Sequence, residues 1–190
     1  MKKIIFCCLM VMAAGSVFSQ TQKGSWQAGG SLGFTSSNQT MYGTKTTDVQ
    51  FILTPQIGYF VVNNLSLILS ASMYSEKVSS ANSSSASQKS YIIGPFVRYY
   101  FPVGETVKFF AGAGMGFVNT SGILDYSSHS ITSYQFEAGP AFFISQSAAI
   151  EFGLDYQVTK YKGQESFYDS DQNQFGMRLA IMLYFPHKSK

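Results

Sequence analysis

From about Gly24 onward, apolar and polar side chains alternate with a period of two, and the alternation stops and restarts at clusters of turn residues. Because successive side chains of a strand point to opposite faces, this pattern predicts strands rather than helices. Eight segments carry it: about 24–35, 48–61, 65–74, 90–101, 107–118, 133–144, 148–159 and 174–185. In the second, Val49, Phe51, Leu53, Pro55, Ile57, Tyr59 and Val61 share one face, and Gln50, Thr54, Gln56 and Gly58 fall on the other. In the fifth, Val107, Phe109, Ala111, Ala113, Met115 and Phe117 oppose Gly112, Gly114 and Gly116.

The connections alternate in length. Val62-Asn63-Asn64, Pro102 to Thr106 and Ser145-Gln146-Ser147 are short enough for tight turns. The intervening connections, about 36–47, 75–89, 119–132 and 160–173, are longer and rich in Ser, Asn, Asp, Gly and Lys. Ser79 to Ser87 is a low-complexity run with little apolar area to bury, and it is expected to be a mobile loop. A weak repeat of about 40 to 45 residues, the length of one strand pair, puts Pro55, Pro95 and Pro140 a few residues before a short turn. Proline cannot donate to a ladder, so a bulge or missing ladder bonds are expected at each.

The distribution of charge decides what the two faces meet. The apolar face of all eight segments has no Asp, Glu, Lys or Arg, whereas the other collects Gly, Ser, Thr and Gln with Asp48, Arg98, Lys108, Glu137, Glu151, Asp155 and Arg178. An eight-stranded barrel has an interior only just wide enough for its own side chains. The bulky apolar face therefore belongs outside, and the Gly- and Ser-rich face inside. A bulky apolar exterior is compatible only with lipid, and lipid in turn demands that the sheet close, because it offers no partner to a free strand edge. The expected fold is all-β, an eight-stranded antiparallel up-and-down transmembrane β-barrel with short periplasmic turns and long extracellular loops. Composition agrees, since charged residues make up only 12% of the chain and aromatics 16%.

Lys2 and Lys3, the apolar run Ile4 to Ala14, and small Val17 and Ser19 have the order of an export signal cleaved before Gln20. The expected organisation is a signal peptide at 1–19 and a single barrel domain at 20–190. Cys7 and Cys8 fall in the leader, so the mature chain would have no thiol chemistry. Losing Lys2 and Lys3 leaves 11 of the 13 Lys and Arg residues against 10 Asp and Glu, too near neutral for a nucleic-acid surface.

The stretches PQIGYFVVNNLSLILSASMY and GPFVRYYFPVGETVKFFAGAGMGF, the export signal and the final segment QFGMRLAIMLYF make the chain resemble the small eight-stranded outer-membrane barrels of Gram-negative bacteria, of the outer-membrane protein X and outer-membrane protein A barrel type. The hairpins look most like barrels from Bacteroidetes. The resemblance implies residence in the bacterial outer membrane as a monomer, in contact with lipid and lipopolysaccharide. Gln174, Gly176, Leu179 and Ile181 resemble the signal that the outer-membrane assembly machinery reads in a last strand. One departure is that Phe185 is not terminal; residues 186–190 form a tail, expected in the periplasm and too short for a peptidoglycan-binding domain.

Charges facing a packed lumen need partners. Arg98, Lys108 and Glu151 are expected in a lower tier of ion pairs, and Glu137, Asp155 and Arg178 in an upper one, together plugging the lumen. Tyr59, Tyr99, Phe101, Phe109, Phe142 and Phe185 lie beside the short turns with outward parity and are expected at the lipid interface, while inward aromatics help close the floor. Neither a cofactor nor a metal is expected, the only histidines being His129 and His187. The expected role is non-enzymatic, with surface loops serving envelope integrity or adhesion-type contacts. A narrow channel for ions or small solutes is the alternative, and a lipid A-modifying enzyme using Asp125, Ser128, His129 and Ser130 a second one.

Overall fold

The computed structural model describes residues 20–41, 44–80, 83–121, 130–162 and 170–186. Its eight strands are β1 (Trp26–Met41), β2 (Thr44–Val62), β3 (Leu65–Ser80), β4 (Ser83–Pro102), β5 (Val107–Ser121), β6 (Ser130–Ser145), β7 (Ala148–Lys162) and β8 (Ser170–Phe185). Each pairs antiparallel with its sequence neighbours, and β1 closes on β8 to complete a barrel. The alternation translates directly into two faces. Outward apolar residues such as Leu32, Phe51, Leu69, Phe117 and Ile181 are exposed, whereas inward Phe60, Ile92, Phe96 and Tyr100 are buried.

The strands are longer than the alternation suggested. At the turn side they stop where expected, with Asn64 in the left-handed conformation (φ 66°) that a tight turn requires. At the opposite side the pattern weakens before the strands end. Most of what read as long loops is hairpin: β1 pairs with β2 as far as Met41 and Thr44, and β3 with β4 as far as Ser80 and Ser83. The serine run is therefore not a mobile loop along most of its length. Ser79, Ser80 and residues 83–87 are strand, because a ladder is made by backbone groups and does not need an apolar side chain at every second position once it leaves the bilayer. Spanning takes about 9–11 residues, and the strands have 15 to 20, so the excess stands beyond the membrane. Between β2 and β3 the ladder ends at Phe51 and Ser75, which leaves the distal parts of two hairpins side by side with no pairing across their facing edges.

The prolines interrupt the ladder without shifting it. Each pairs on one side, Pro55 with Gly30, Pro95 with Leu69 and Pro140 with Phe109. On its other side the proline and the residue before it have no pair, and the same register resumes beyond. Missing ladder pairs are thus found at these positions, and bulges are not. The register shifts sit elsewhere, at Phe60/Val62, Val78/Ser80 and Phe143/Ser145 near hairpin ends. Gly94 and Gly139, each preceding a proline, show what the gap accommodates: a Cβ there would collide with the carbonyl oxygen of Met115 or Phe152 on the adjacent strand.

Candidate functional site

The lumen is organised in layers, beginning with a floor of rings. Adjacent aromatic pairs near the turns send one member outward and one inward, and the inward Phe60, Tyr100, Phe110, Phe143 and Tyr184 pack with Ala141, Ala149 and Met182 into the buried cluster at that end. Ring centroids lie 5.1 Å apart for Phe143 and Tyr184 and 5.8 Å for Phe60 and Tyr100, within the range of favourable tilted aromatic contacts.

Beneath the rings lies a segment that periodicity does not reveal. Gln20 and Thr21 are buried. Gln20 Nε2 donates to the Ser145 carbonyl at 2.7 Å, Asn64 N donates to the Thr21 carbonyl at 2.7 Å, and Lys23 N donates to Asn63 Oδ1 at 2.9 Å. Lys108 completes this layer. It pairs in the ladder with Pro102 and Ala141, below Tyr100 and Phe110, and its Nζ donates to Thr21 Oγ1 at 2.5 Å and Asn64 Oδ1 at 3.3 Å while lying 5.4 Å from the Phe143 ring centroid.

Above the rings is a connected chain of ion pairs. Arg98, 1% exposed, pairs through Nε with Glu137, donates from Nη1 to Glu151 Oε2 at 3.0 Å, and donates from Nη2 to Gln56 Oε1 at 3.1 Å. Arg178 pairs with Glu137 Oε2 at 2.5 Å and with Asp155 Oδ1 at 3.3 Å. Glu137 thereby joins the two guanidinium groups. Glu151 is wholly enclosed, with the hydroxyls of Tyr100 and Tyr184 at 3.0 and 3.1 Å from its Oε1. Arg98 also lies 5.0 Å from the Phe110 centroid and 5.9 Å from that of Phe96, so rings cap the parts of its surface that carboxylates leave free.

Glycine makes this reach possible. Gly112 stands between Arg98 and Glu137 in the ladders, so no side chain intervenes between the two partners. Arg178 has Gly33 and Gly153 as its neighbours, and a Cβ at Gly153 would press on Arg178 Nε and Cγ. Glycine opposite arginine was the sequence signal for these contacts, legible only once register is known.

The expected two tiers are thus corrected. Arg98, Glu151, Glu137, Arg178 and Asp155 form one group, and Lys108 stands apart with neutral partners. The reason is saturation: Glu151, the acid nearest to Lys108 in the ladders, already receives Arg98 and two tyrosine hydroxyls. On the outer wall, Tyr59, Tyr99, Phe101, Phe109, Phe142 and Phe185 are all exposed, as outward parity requires. Asp125, Ser128 and His129 lie outside the described residues, as do the leader and residues 187–190. Ser130 begins β6, and its side chain is not among those described.

A cavity of about 80 Å³ sits beyond the ion pairs, bordered by Arg98, Glu137, Asp155 and Arg178 below and by Tyr74, Gln135, Gln157 and Gln174 above. That is room for a handful of water molecules. Among the described residues no group of three or more His, Cys, Asp or Glu is placed to hold a metal ion.

The fold is similar to that of several solved barrels. Neisserial surface protein A shares 16% identity over 85% of this chain and 99% of its own, with a TM-score of 0.65. The N-terminal β-barrel domain of Pseudomonas aeruginosa OprF shares 16% over 86% and 98%, with a TM-score of 0.56. OprG from Pseudomonas aeruginosa shares 13% over 90% and 100%, with a TM-score of 0.55. Likeness at such identities establishes fold. No curated protein matches the sequence. The family model for the outer membrane protein beta-barrel domain matches residues 4–181, nearly the whole chain, and the protein belongs to that family.

Proposed function

We propose that the protein is a non-enzymatic, non-conducting outer-membrane barrel whose work is done at the cell surface by its projecting hairpins. The observation that carries the closed lumen is the stacking of two filled layers, the ring cluster and the Arg98–Glu137–Arg178 group, across the same bore. Ions would have to displace buried, ion-paired groups to pass, at a cost of several kcal/mol. Recording in planar bilayers tests this directly. Refolded protein should give no steady conductance, and discrete open levels would favour the channel reading instead.

The surface role rests on the distal hairpins. The unpaired facing edges of residues 44–50 and 76–80 expose backbone donors and acceptors, the feature through which extended segments of other proteins add to a sheet. Excising residues 76–87 should leave a folded barrel that migrates as a compact unheated band but attaches less well to proteinaceous surfaces. Undiminished attachment would argue against the hairpins as the contact surface. For the enzyme reading, lipid A unchanged by mass spectrometry between wild type, His129→Ala and a deletion strain is the expected result.

A further inference from the structure

The joined ion group is not neutral. It holds three carboxylates, Glu137, Glu151 and Asp155, against two guanidinium groups, Arg98 and Arg178. Lys108 does not offset the difference locally, since it lies on the other side of the rings with Thr21 and Asn64. The residual negative charge is carried at the edge of the group: Asp155 borders the cavity with its side chain 35% exposed, whereas Glu151 is fully enclosed. Asp155 gives Oδ1 to Arg178, and its second oxygen has no partner among the described residues.

The cavity offers further open acceptors. Gln135, Gln157 and Gln174 occupy one row across β6, β7 and β8, immediately beyond Glu137 and Asp155. The middle amide is occupied: Gln157 Oε1 accepts from Tyr74 Oη at 2.8 Å and Gln135 Nε2 at 3.2 Å, and its Nε2 donates to Thr159 Oγ1 at 3.1 Å. These bonds leave the carbonyl oxygen of Gln135 unused. Gln174 is only 7% exposed, lines the same cavity, and has no hydrogen-bond partner among the described residues. Its amide faces the cavity, where a ligand would supply the partner that the protein does not.

We propose that this cavity binds a compact primary ammonium group, with Asp155 supplying the counter-charge and the carbonyls of Gln135 and Gln174 accepting its remaining N–H bonds. The chemistry matches on three counts. An ammonium carries the single positive charge that the joined group lacks. It has three donors for three open acceptors. It is also small enough for a cavity of about 80 Å³. A quaternary ammonium has the charge but no N–H, and it should be rejected. This site goes beyond the surface role proposed above and does not depend on it.

The test is a titration of the full chain, folded in detergent micelles, with methylammonium, tetramethylammonium and sodium chlorides at matched ionic strength, read by NMR of the glutamine side-chain amides. Methylammonium should shift Gln135 and Gln174 resonances saturably, and the other two salts should not. Asp155→Asn should weaken the response by about tenfold or more, the loss expected of a charge-assisted hydrogen bond. Gln174→Leu should weaken it less and serves as the deciding variant should Asp155→Asn fail to fold. Absence of a saturable shift, which is what a proton on Asp155 in place of a ligand would give, overturns the proposal. So does an equal response to tetramethylammonium, or wild-type affinity in whichever variant folds.

Discussion

Arg98 and Lys108 belong to one hairpin, point to the same side of the wall and differ in almost everything else. Arg98 stands above the ring layer and is ion-paired to carboxylates from β6 and β7, whereas Lys108 stands below it and bonds only neutral oxygens of the N-terminal segment and the β2–β3 turn. Alternation places both inside. It does not say which partner each will find, because that depends on what intervenes. Arg98 faces Gly112 and reaches across it, while the acid nearest to Lys108 lies beyond Ala141 and is already taken. The middle of the barrel is thus an electrostatic clasp between strands far apart in sequence, and its base is a packed floor sealed by residues 20–23.

The largest expected effect comes from breaking the clasp at its centre. Arg98→Met keeps side-chain bulk but leaves Glu137 with one partner and Glu151 with none but tyrosine hydroxyls, and stranding a buried ion costs about 3–5 kcal/mol. Urea unfolding in vesicles can be followed through Trp26, the sole tryptophan, which sits exposed on the outer face. A loss under about 1 kcal/mol would mean that the clasp is ornamental. A smaller loss, about 1–3 kcal/mol, is expected for Gly153→Val, because the added side chain pushes directly on Arg178. Gly104→Ala in the β4–β5 turn, where a Cβ meets nothing, is the matched control and should unfold with the wild type.

These contrasts show what could be read from the chain alone. Two-fold alternation with charge confined to one face contained the barrel, its strand number and the side on which Arg98 lies. It even contained the ladder gaps at Pro55, Pro95 and Pro140, because a missing N–H is a property of the residue itself. Contacts across the bore were out of reach. Whether Arg98 meets Glu137 depends on register, a relation between strands that no single segment encodes. The distal hairpins were missed for a different reason: outside lipid neither face is forced to be apolar, so the alternation fades while the ladder continues. Gln20 and Thr21 give no periodic signal at all, being held by hydrogen bonds to residues distant in sequence.

Among the substitutions in the lumen, the smallest effect sharpens the comparison most. Lys108→Met removes an ammonium that bonds Thr21 Oγ1 and Asn64 Oδ1, while the methionine stem still covers Phe143. Two neutral-acceptor bonds are lost, each worth about 1 kcal/mol net, but the desolvation cost of a buried ammonium disappears with them. No carboxylate is stranded, so global stability in the same assay should change by no more than about 1 kcal/mol. The local consequence is different. Thr21 and Asn64 remain joined by Asn64 N donating to the Thr21 carbonyl at 2.7 Å and by the Thr21 hydroxyl donating to Asn64 Oδ1 at 2.6 Å, but they lose the cation that ties both to β5. Amide exchange at Asn64 should therefore quicken while exchange at Arg98 stays slow. Should Lys108→Met instead destabilise the barrel as much as Arg98→Met, floor and clasp would be one cooperative unit, and the distinction between packing below and ion pairing above would fall.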